Sequence, residues 1–164
     1  MSLPGKSLWK RPESVLVVVY TRSGKVLLLQ RADNPAFWQS VTGSMNWEET
    51  APSMAASREL REETGLEAAD RLQDLELVYR YPILPQWRLR YAPEVQENTE
   101  HVFSFEPVAE TMVTLNPAEH SQCAWFSFNE AAQKVASWTN RAVILKLAEA
   151  QAARGAELPV RRVP

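Results

Sequence analysis

The 164-residue chain contains only one cysteine, five glycines and two histidines. Its formal net charge is also small, at −2. A lone cysteine cannot form an internal disulfide, which is typical of a reducing compartment and predicts a cytoplasmic protein. The small negative charge argues against a protein that coats nucleic acid. With 45% hydrophobic and 23% charged residues, the composition is that of a globular protein, not a disordered or coiled-coil one.

Long hydrophobic segments are also missing. The longest apolar run, residues 15–20, is far shorter than the roughly 20 residues that span a bilayer, so no membrane segment is expected. The N-terminal segment MSLPGKSLWKRPE lacks the apolar centre of a signal peptide. The length predicts a single domain, residues 1–164 with a core at about 10–153. The oligomeric state is left open by the sequence.

Hydrophobic periodicity and turn residues predict strands at residues 14–20, 25–30, 38–42, 75–81, 87–91, 101–105 and 122–126. The turn at residues 21–24 predicts a hairpin between the first two strands. Helices are expected at residues 52–64, 129–136 and 139–153, the first capped by Thr50 or Ser53 and ended by Gly65. The order of strands, helix, strands and helices predicts an α+β fold, with a mixed β-sheet and helices packed on its faces.

The first helix carries an unusual set of carboxylates. Glu59, Glu62 and Glu63 are spaced i, i+3 and i+4, so all three lie on one helix face. Two of them occupy the last turn, where the helix dipole disfavours negative charge. A solvated surface helix, with Arg58 paired to Glu62, is the ordinary interpretation. The like charges at the unfavourable helix end, with the glycine-bearing segment VTGS upstream, favour a functional site instead.

Three carboxylates on a rigid helix suit a hard cation such as Mg²⁺ or Mn²⁺. Such an ion neutralises phosphate charge and activates a water molecule, so the pattern predicts chemistry on a phosphorylated substrate. Zinc is disfavoured because the chain has one cysteine and because His101 and His120 lack ligand spacing. We therefore treat both histidines as structural residues.

Residues 43–66 resemble the Nudix box, the loop–helix signature of the Nudix hydrolases. The box reads Gly, five residues, Glu, seven residues, Arg-Glu, an aliphatic residue, any residue, Glu-Glu, any residue, Gly and an aliphatic residue. Its places are filled here by Gly43, Glu49, Arg58, Glu59, Leu60, Glu62, Glu63, Gly65 and Leu66. One departure is that eight residues, not seven, separate Glu49 from Arg58. The resemblance implies the Nudix fold, a mixed β-sheet between α-helices.

The resemblance also implies roles for single residues. Glu59 and Glu63 would be the main Mg²⁺ ligands, with Glu62 assisting, and Glu119 would act as a ligand or as the general base. The positions that match phosphate-contacting residues are Lys10, Arg31 and Thr42. The candidates for binding a flat heterocycle are Tyr81, Trp87 and Trp138 by stacking and Ser137 by a polar contact.

Segments beyond the box, among them residues 37–44, 98–100 and 137–141, resemble Nudix enzymes of folate biosynthesis. This implies Mg²⁺-dependent hydrolysis of dihydroneopterin triphosphate, a small-molecule substrate, to the monophosphate and pyrophosphate. A general (d)NTP or dATP pyrophosphohydrolase is the alternative within the family, because both substrates carry a triphosphate and a flat ring. A Nudix module that binds nucleotides without hydrolysis is the third possibility. Such modules usually lack box glutamates that this chain retains.

Overall fold

The structure, a computed structural model, describes residues 8–156. Within these residues it has seven strands, three α-helices and one 3₁₀ helix, which spans Pro85–Arg90. The strands are β1 (Glu13–Val19), β2 (Lys25–Arg31), β3 (Trp38–Gln39), β4 (Val41–Ser44), β5 (Leu72–Pro82), β6 (Glu97–Phe105) and β7 (His120–Ser127). The α-helices are α1 (Pro52–Thr64), α2 (Phe128–Lys134) and α3 (Trp138–Ala156).

The strands form two sheets, with orders β4-β1-β6-β5 and β3-β2-β7. Strand β1 runs parallel to β6 and antiparallel to β4, so the larger sheet is mixed. This arrangement confirms the predicted α+β class with a mixed sheet and helices.

The alternating side chains of β1 divide the core into two clusters. Val15, Val17 and Val19 pack in the same cluster as Leu60 of α1. Leu16 and Val18, on the opposite face of the strand, pack with α2 and α3. Such period-two alternation between two apolar faces is what a central strand requires. The sheet therefore lies between α1 on one side and α2 and α3 on the other.

The predicted hairpin between β1 and β2 is wrong. The turn at residues 21–24 forms, with the Gly24 N–H donating to the Thr21 carbonyl at 3.0 Å, but only an isolated bridge between Tyr20 and Val26 follows it. Both edges of β1 are occupied by β4 and β6, and both edges of β2 by β3 and β7. No strand edge is left for the two neighbours in sequence to pair.

Three further local predictions need correction. The strand expected at residues 87–91 does not form: residues 87–90 belong to the 3₁₀ helix, where Pro85 fixes the backbone angle of the first turn, and Tyr91 follows its end. The strand expected at residues 38–42 is interrupted at Ser40. The part before Ser40 is β3 and the part after it is β4, and the two belong to different sheets. Helix α1 is preceded by Ala51, with no side-chain cap from Thr50 or Ser53.

No helix among residues 8–156 is both long and apolar enough to cross a bilayer. The expectation that no signal peptide is present rests on residues 1–13, and the predicted domain spans residues 1–164. Of these, residues 1–7 and 157–164 lie outside the described residues.

Candidate active site

Helix α1 begins and ends where its sequence requires. Pro52 occupies the first turn, where its missing N–H costs no hydrogen bond. Gly65 ends the helix in the left-handed conformation, at φ 75°, and its N–H donates to the Arg61 carbonyl at 2.8 Å. The carboxylates of the last turn are therefore held at a sharply defined helix end.

Arg58 ties the helix to the loop that precedes it. Its guanidinium donates to the carboxylates of Glu49 and Glu59, each at 2.7 Å, and to the Ser44 carbonyl at 3.0 Å. A third carboxylate, that of Glu62, is 3.2 Å away. The eight-residue spacing thus still allows Glu49 and Glu59 to share one guanidinium. A planar fork of five donors suits this multiple contact.

Gly43 permits the close contact between β4 and α1. A Cβ atom at this position would lie 2.1 Å from Oε1 of Glu59. A side chain there would displace the Glu59 carboxylate from its present position. The glycine of the box therefore leaves room for the side chain of a catalytic candidate.

Glu63 is buried at the centre of the acidic group. Its Oε2 accepts the backbone N–H of Thr42 at 3.3 Å. The Thr42 hydroxyl donates to the Val15 carbonyl at 2.9 Å, so its proton is already engaged. Burial, together with the charges of Glu59 and Glu119, raises the pKa of Glu63 well above its ordinary value.

Glu119 and His120 approach Glu63 from the start of β7. One carboxylate oxygen from each glutamate and one ring nitrogen of His120 all lie within 4.8 Å of one another, a spacing that suits a shared metal ion. The imidazole is buried, and burial and the charge of Arg31 lower its pKa, which favours the neutral form that binds metals. Its Nδ1 has no hydrogen-bond partner among the described residues. The sequence interpretation missed this histidine, although it directly follows Glu119.

The charges of this acidic group act on one another. Burial, with contributions from Glu62 and Glu119, raises the pKa of Glu59 to about 7 although Arg58 opposes the shift. Carboxyl groups that resist ionisation because like charges surround them are stabilised by a cation. The clustered donors are the carboxylates of Glu63 and Glu119 and the His120 imidazole, and Glu59 lines the same cavity. This oxygen-rich set fits a hard divalent ion such as Mg²⁺ or Mn²⁺.

Basic side chains line the same cavity next to the acidic group. Burial, and the neighbouring charges of Arg90 and Arg31, lower the pKa of Lys10. Arg31 forms a two-pronged ion pair with Asp33 at 2.8 and 2.7 Å, and its guanidinium lies 6.0 Å from the ring centre of Trp87. Arg90, which the sequence interpretation missed because residues 87–91 were expected to be a strand, also lines the cavity.

The far end of the cavity is formed by strands β5 and β6 and the start of α3. The Tyr81 hydroxyl donates to Oε2 of Glu100 at 2.9 Å, and its ring stands edge-on to Trp138, with ring centres 6.5 Å apart. Ser137 accepts the N–H of Asn140 at 3.4 Å and thus caps the first turn of α3. Tyr81 is therefore a hydrogen-bonding residue in this wall, while Trp138, 57% exposed, is the more accessible ring.

One cavity of about 1300 Å³ joins the two ends. It is lined by every candidate except one; those lining it are Lys10, Arg31, Thr42, Glu59, Glu63, Tyr81, Trp87, Glu119, Ser137 and Trp138. The exception is Glu62, whose side chain is 52% exposed and contacts Arg58. A flat ring and a charged chain could thus occupy the two ends together.

The family model for the NUDIX domain matches residues 10–147, well over half of the chain. The chain belongs to the Nudix family. Two curated Nudix relatives named dihydroneopterin triphosphate diphosphatase are similar to it. The Escherichia coli K12 protein is 42% identical over 141 residues, covering 84% of this chain and 92% of the relative. The Haemophilus influenzae protein is 39% identical over 142 residues, covering 84% and 88%.

Comparison with solved structures also finds Nudix proteins. The structure of the E. coli dihydroneopterin triphosphate pyrophosphohydrolase matches with a TM-score of 0.78 and 40% identity, over 85% of this chain and 97% of that one. A putative Nudix hydrolase from Listeria monocytogenes, 24% identical with a TM-score of 0.75, shares the fold. The predicted Nudix fold is confirmed.

Proposed function

We propose that this Nudix protein is a Mg²⁺-dependent pyrophosphohydrolase that converts dihydroneopterin triphosphate to dihydroneopterin monophosphate and pyrophosphate. The observation that carries the proposal is the continuous cavity, with carboxylates and basic side chains at one end and a polar, aromatic wall at the other. The names of the relatives at 39–42% identity support the pterin substrate. The substrate is a small molecule, and a soluble triphosphate together with a single cysteine favours the cytoplasm as the enzyme's location.

The metal would be held by Glu59, Glu63 and Glu119, with His120 beside them. A bound Mg²⁺ or Mn²⁺ neutralises phosphate charge and lowers the pKa of a water molecule. Glu62 would support the metal site from outside the cavity, through its ion pair with Arg58.

The chain's own residues bind the substrate and accept the proton. Lys10 and Arg31 contact phosphate oxygens, and Thr42 offers main-chain contacts at the cavity wall. In hydrolysis, a water oxygen bonds to phosphorus, a phosphoanhydride bond breaks, and the water's proton passes to a base. Glu119 is our candidate for that base, because it is an exposed residue that lines the cavity within 4.8 Å of a Glu63 carboxylate oxygen.

A substrate panel tests this function. We expect measurable turnover of dATP but a higher kcat/KM for dihydroneopterin triphosphate, with pyrophosphate released in both reactions. A higher kcat/KM for dATP would replace the proposal by a general nucleotide pyrophosphohydrolase. Binding of either compound without any release of pyrophosphate in Mg²⁺ would instead indicate a nucleotide-binding module.

A further inference from the structure

The far end of the cavity contains a buried carboxyl group that the hydrolytic chemistry does not use. We propose that Glu100 is a specificity-determining residue, which recognises the amide N–H and the adjacent amino group on the edge of the pterin ring. The inference rests on the proposed function, since it names the group that selects the heterocycle of that substrate.

Strand pairing places Glu100 among polar neighbours. It lies opposite Ser14 of β1 and Tyr79 of β5, and Asn98 lies opposite Tyr81. Directly opposite residues share a face of a sheet. Two residues further along β1 and β6, at Leu16 and Val102, this face becomes the apolar core that packs against α3. The polar group therefore marks the boundary where the core gives way to the cavity wall.

The burial of Glu100 is costly unless a partner compensates for it. The residue is 4% exposed, and the pKa of its carboxyl is raised by burial although Thr139 and Tyr81 oppose the shift. Oε2 accepts the Tyr81 hydroxyl at 2.9 Å, whereas Oε1 has no hydrogen bond of normal geometry among residues 8–156. A buried polar atom without a partner costs about 1–3 kcal/mol.

A second acceptor nearby is also unpaired. The Asn98 amide donates to Ser14 at 2.7 Å and to the Tyr81 hydroxyl at 3.1 Å, while its Oδ1 has no partner within the described part of the chain. Glu100, Asn98 and Tyr81 all line the cavity. The wall thus offers unused acceptors, and the ligand that satisfies acceptors is one that carries N–H donors.

Ring chemistry decides which heterocycle fits. A pterin with a 2-amino-4-oxo ring presents two adjacent donors, the ring N–H and the amino group, which a carboxylate can accept together. Adenine presents one donor beside one acceptor, so a carboxylate oxygen would face a ring nitrogen lone pair. Guanine shares the two donors of the pterin. Trp138, exposed at the same wall, adds stacking that any flat ring can use.

The test is Glu100→Gln, assayed with dihydroneopterin triphosphate, dGTP and dATP in Mg²⁺. The amide has one donor and one acceptor and therefore matches adenine. We expect the ratio of kcat/KM for the pterin over dATP to fall about 100-fold, and the dGTP:dATP ratio to fall in the same direction. The matched control, Glu97→Gln, removes a carboxylate from the exposed end of the same strand. It should change either ratio less than about twofold.

Ratios in a folded Glu100→Gln variant that stay within about threefold of the wild-type values would overturn the assignment. Equal losses for all three substrates would also overturn it, because they would mark a purely structural carboxyl. A wild-type enzyme that ignores the pterin triphosphate contradicts the proposed function. The dGTP:dATP ratio then still tests Glu100.

If the Glu100→Gln variant does not fold, the role of Glu100 is tested with Tyr81→Phe. The change leaves the aromatic ring and removes the hydroxyl that orients the Glu100 carboxyl. Neopterin, which has the ring edge but no phosphate, is used as a competitor of dATP hydrolysis. We expect its inhibition constant to rise several-fold, and an unchanged constant would contradict the positioning of Glu100 by Tyr81.

Discussion

Both ends of the cavity hold buried carboxyl groups, but the neighbours of those groups differ. At the acidic end, the charges of neighbouring glutamates, Glu119 among them, add to the effect of burial on the pKa values of Glu59 and Glu63. At the ring end, Glu100 is approached by the hydroxyls of Tyr81 and Thr139, with no like charge contributing. Burial alone therefore does not determine what a carboxyl group binds. Crowded carboxylates are stabilised by binding a cation. A single carboxylate among neutral donors is instead stabilised by accepting hydrogen bonds from N–H groups.

The largest expected effect comes from the acidic end. Glu63→Gln keeps the side-chain shape and removes the charge, so kcat should fall by at least about 100-fold, and chelation by EDTA should abolish activity in the wild type. The measurement is pyrophosphate release, with thermal unfolding as the check on folding. Glu67→Gln, on an exposed residue just beyond the helix, is the matched control. A Glu63→Gln variant within twofold of wild type would mean that the ligand is misassigned.

Arg58 allows a comparison within the acidic end. Glu59 lines the cavity, whereas Glu49 does not line it and shares the Arg58 guanidinium with Glu59. We expect Glu59→Gln to lower kcat/KM far more than Glu49→Gln, whose loss should be of the order of tenfold. Equal losses would show that Glu49 takes part in binding the metal directly.

The raised pKa of Glu59 should also make the stability of the protein depend on pH. Burial raises the pKa of Glu59 to about 7 in the folded, metal-free protein, against about 4.3 in an unfolded chain. A raised pKa in the folded state means that stability is greatest at low pH and is lost as pH rises through the folded value. In EDTA, Tm should therefore fall by more than about 2 °C from pH 5 to pH 8.

Two further measurements of Tm test whether the crowded carboxylates cause this pH dependence. Glu63→Gln should flatten the decline of Tm with pH, since it removes one of the crowded charges. Added Mg²⁺ should raise Tm most at pH 8, where the carboxylates are ionised. A metal-free protein that becomes more stable as pH rises over this range would contradict the charge crowding.

The smallest effect is expected from Ser137 at the ring end. Ser137→Ala should narrow the preference for the pterin over dATP by a few-fold and, as a lost helix cap, should lower the free energy of unfolding by roughly 0.5–2 kcal/mol. Ser127→Ala is the matched control, because Ser127 caps α2 with a hydrogen bond from Glu130 at 3.2 Å and does not line the cavity. Equal changes in substrate preference in both variants would exclude a binding role for Ser137.

The acidic end was far easier to predict from the sequence than the ring end. Helix α1 was predicted with its observed bounds because Pro52 and Gly65 are local signals, and its glutamates are related by helical spacing alone. Glu100 depends on strand pairing with Ser14 and Tyr79, which are distant in sequence.

The local errors have the same origin. The hairpin predicted from residues 21–24 failed because the edges of β1 and β2 pair with strands from far along the chain. His120 lacks any spacing pattern and becomes a candidate ligand only when β7 approaches Glu63. Sequence patterns describe neighbours along the chain, whereas these contacts are made by the topology.

The pairing of β1 with β6 and of β2 with β7 also governs the order of events during synthesis. Glu13 pairs with Thr99, and Lys25 pairs with Ser127. A ribosome-bound chain must therefore keep one edge of β1 unpaired until β6 has emerged, and one edge of β2 unpaired until β7 has emerged. Contacts this distant in sequence slow folding and leave such strands exposed to aggregation. We expect folding to be late and all at once, with neither end of the cavity assembled before the other.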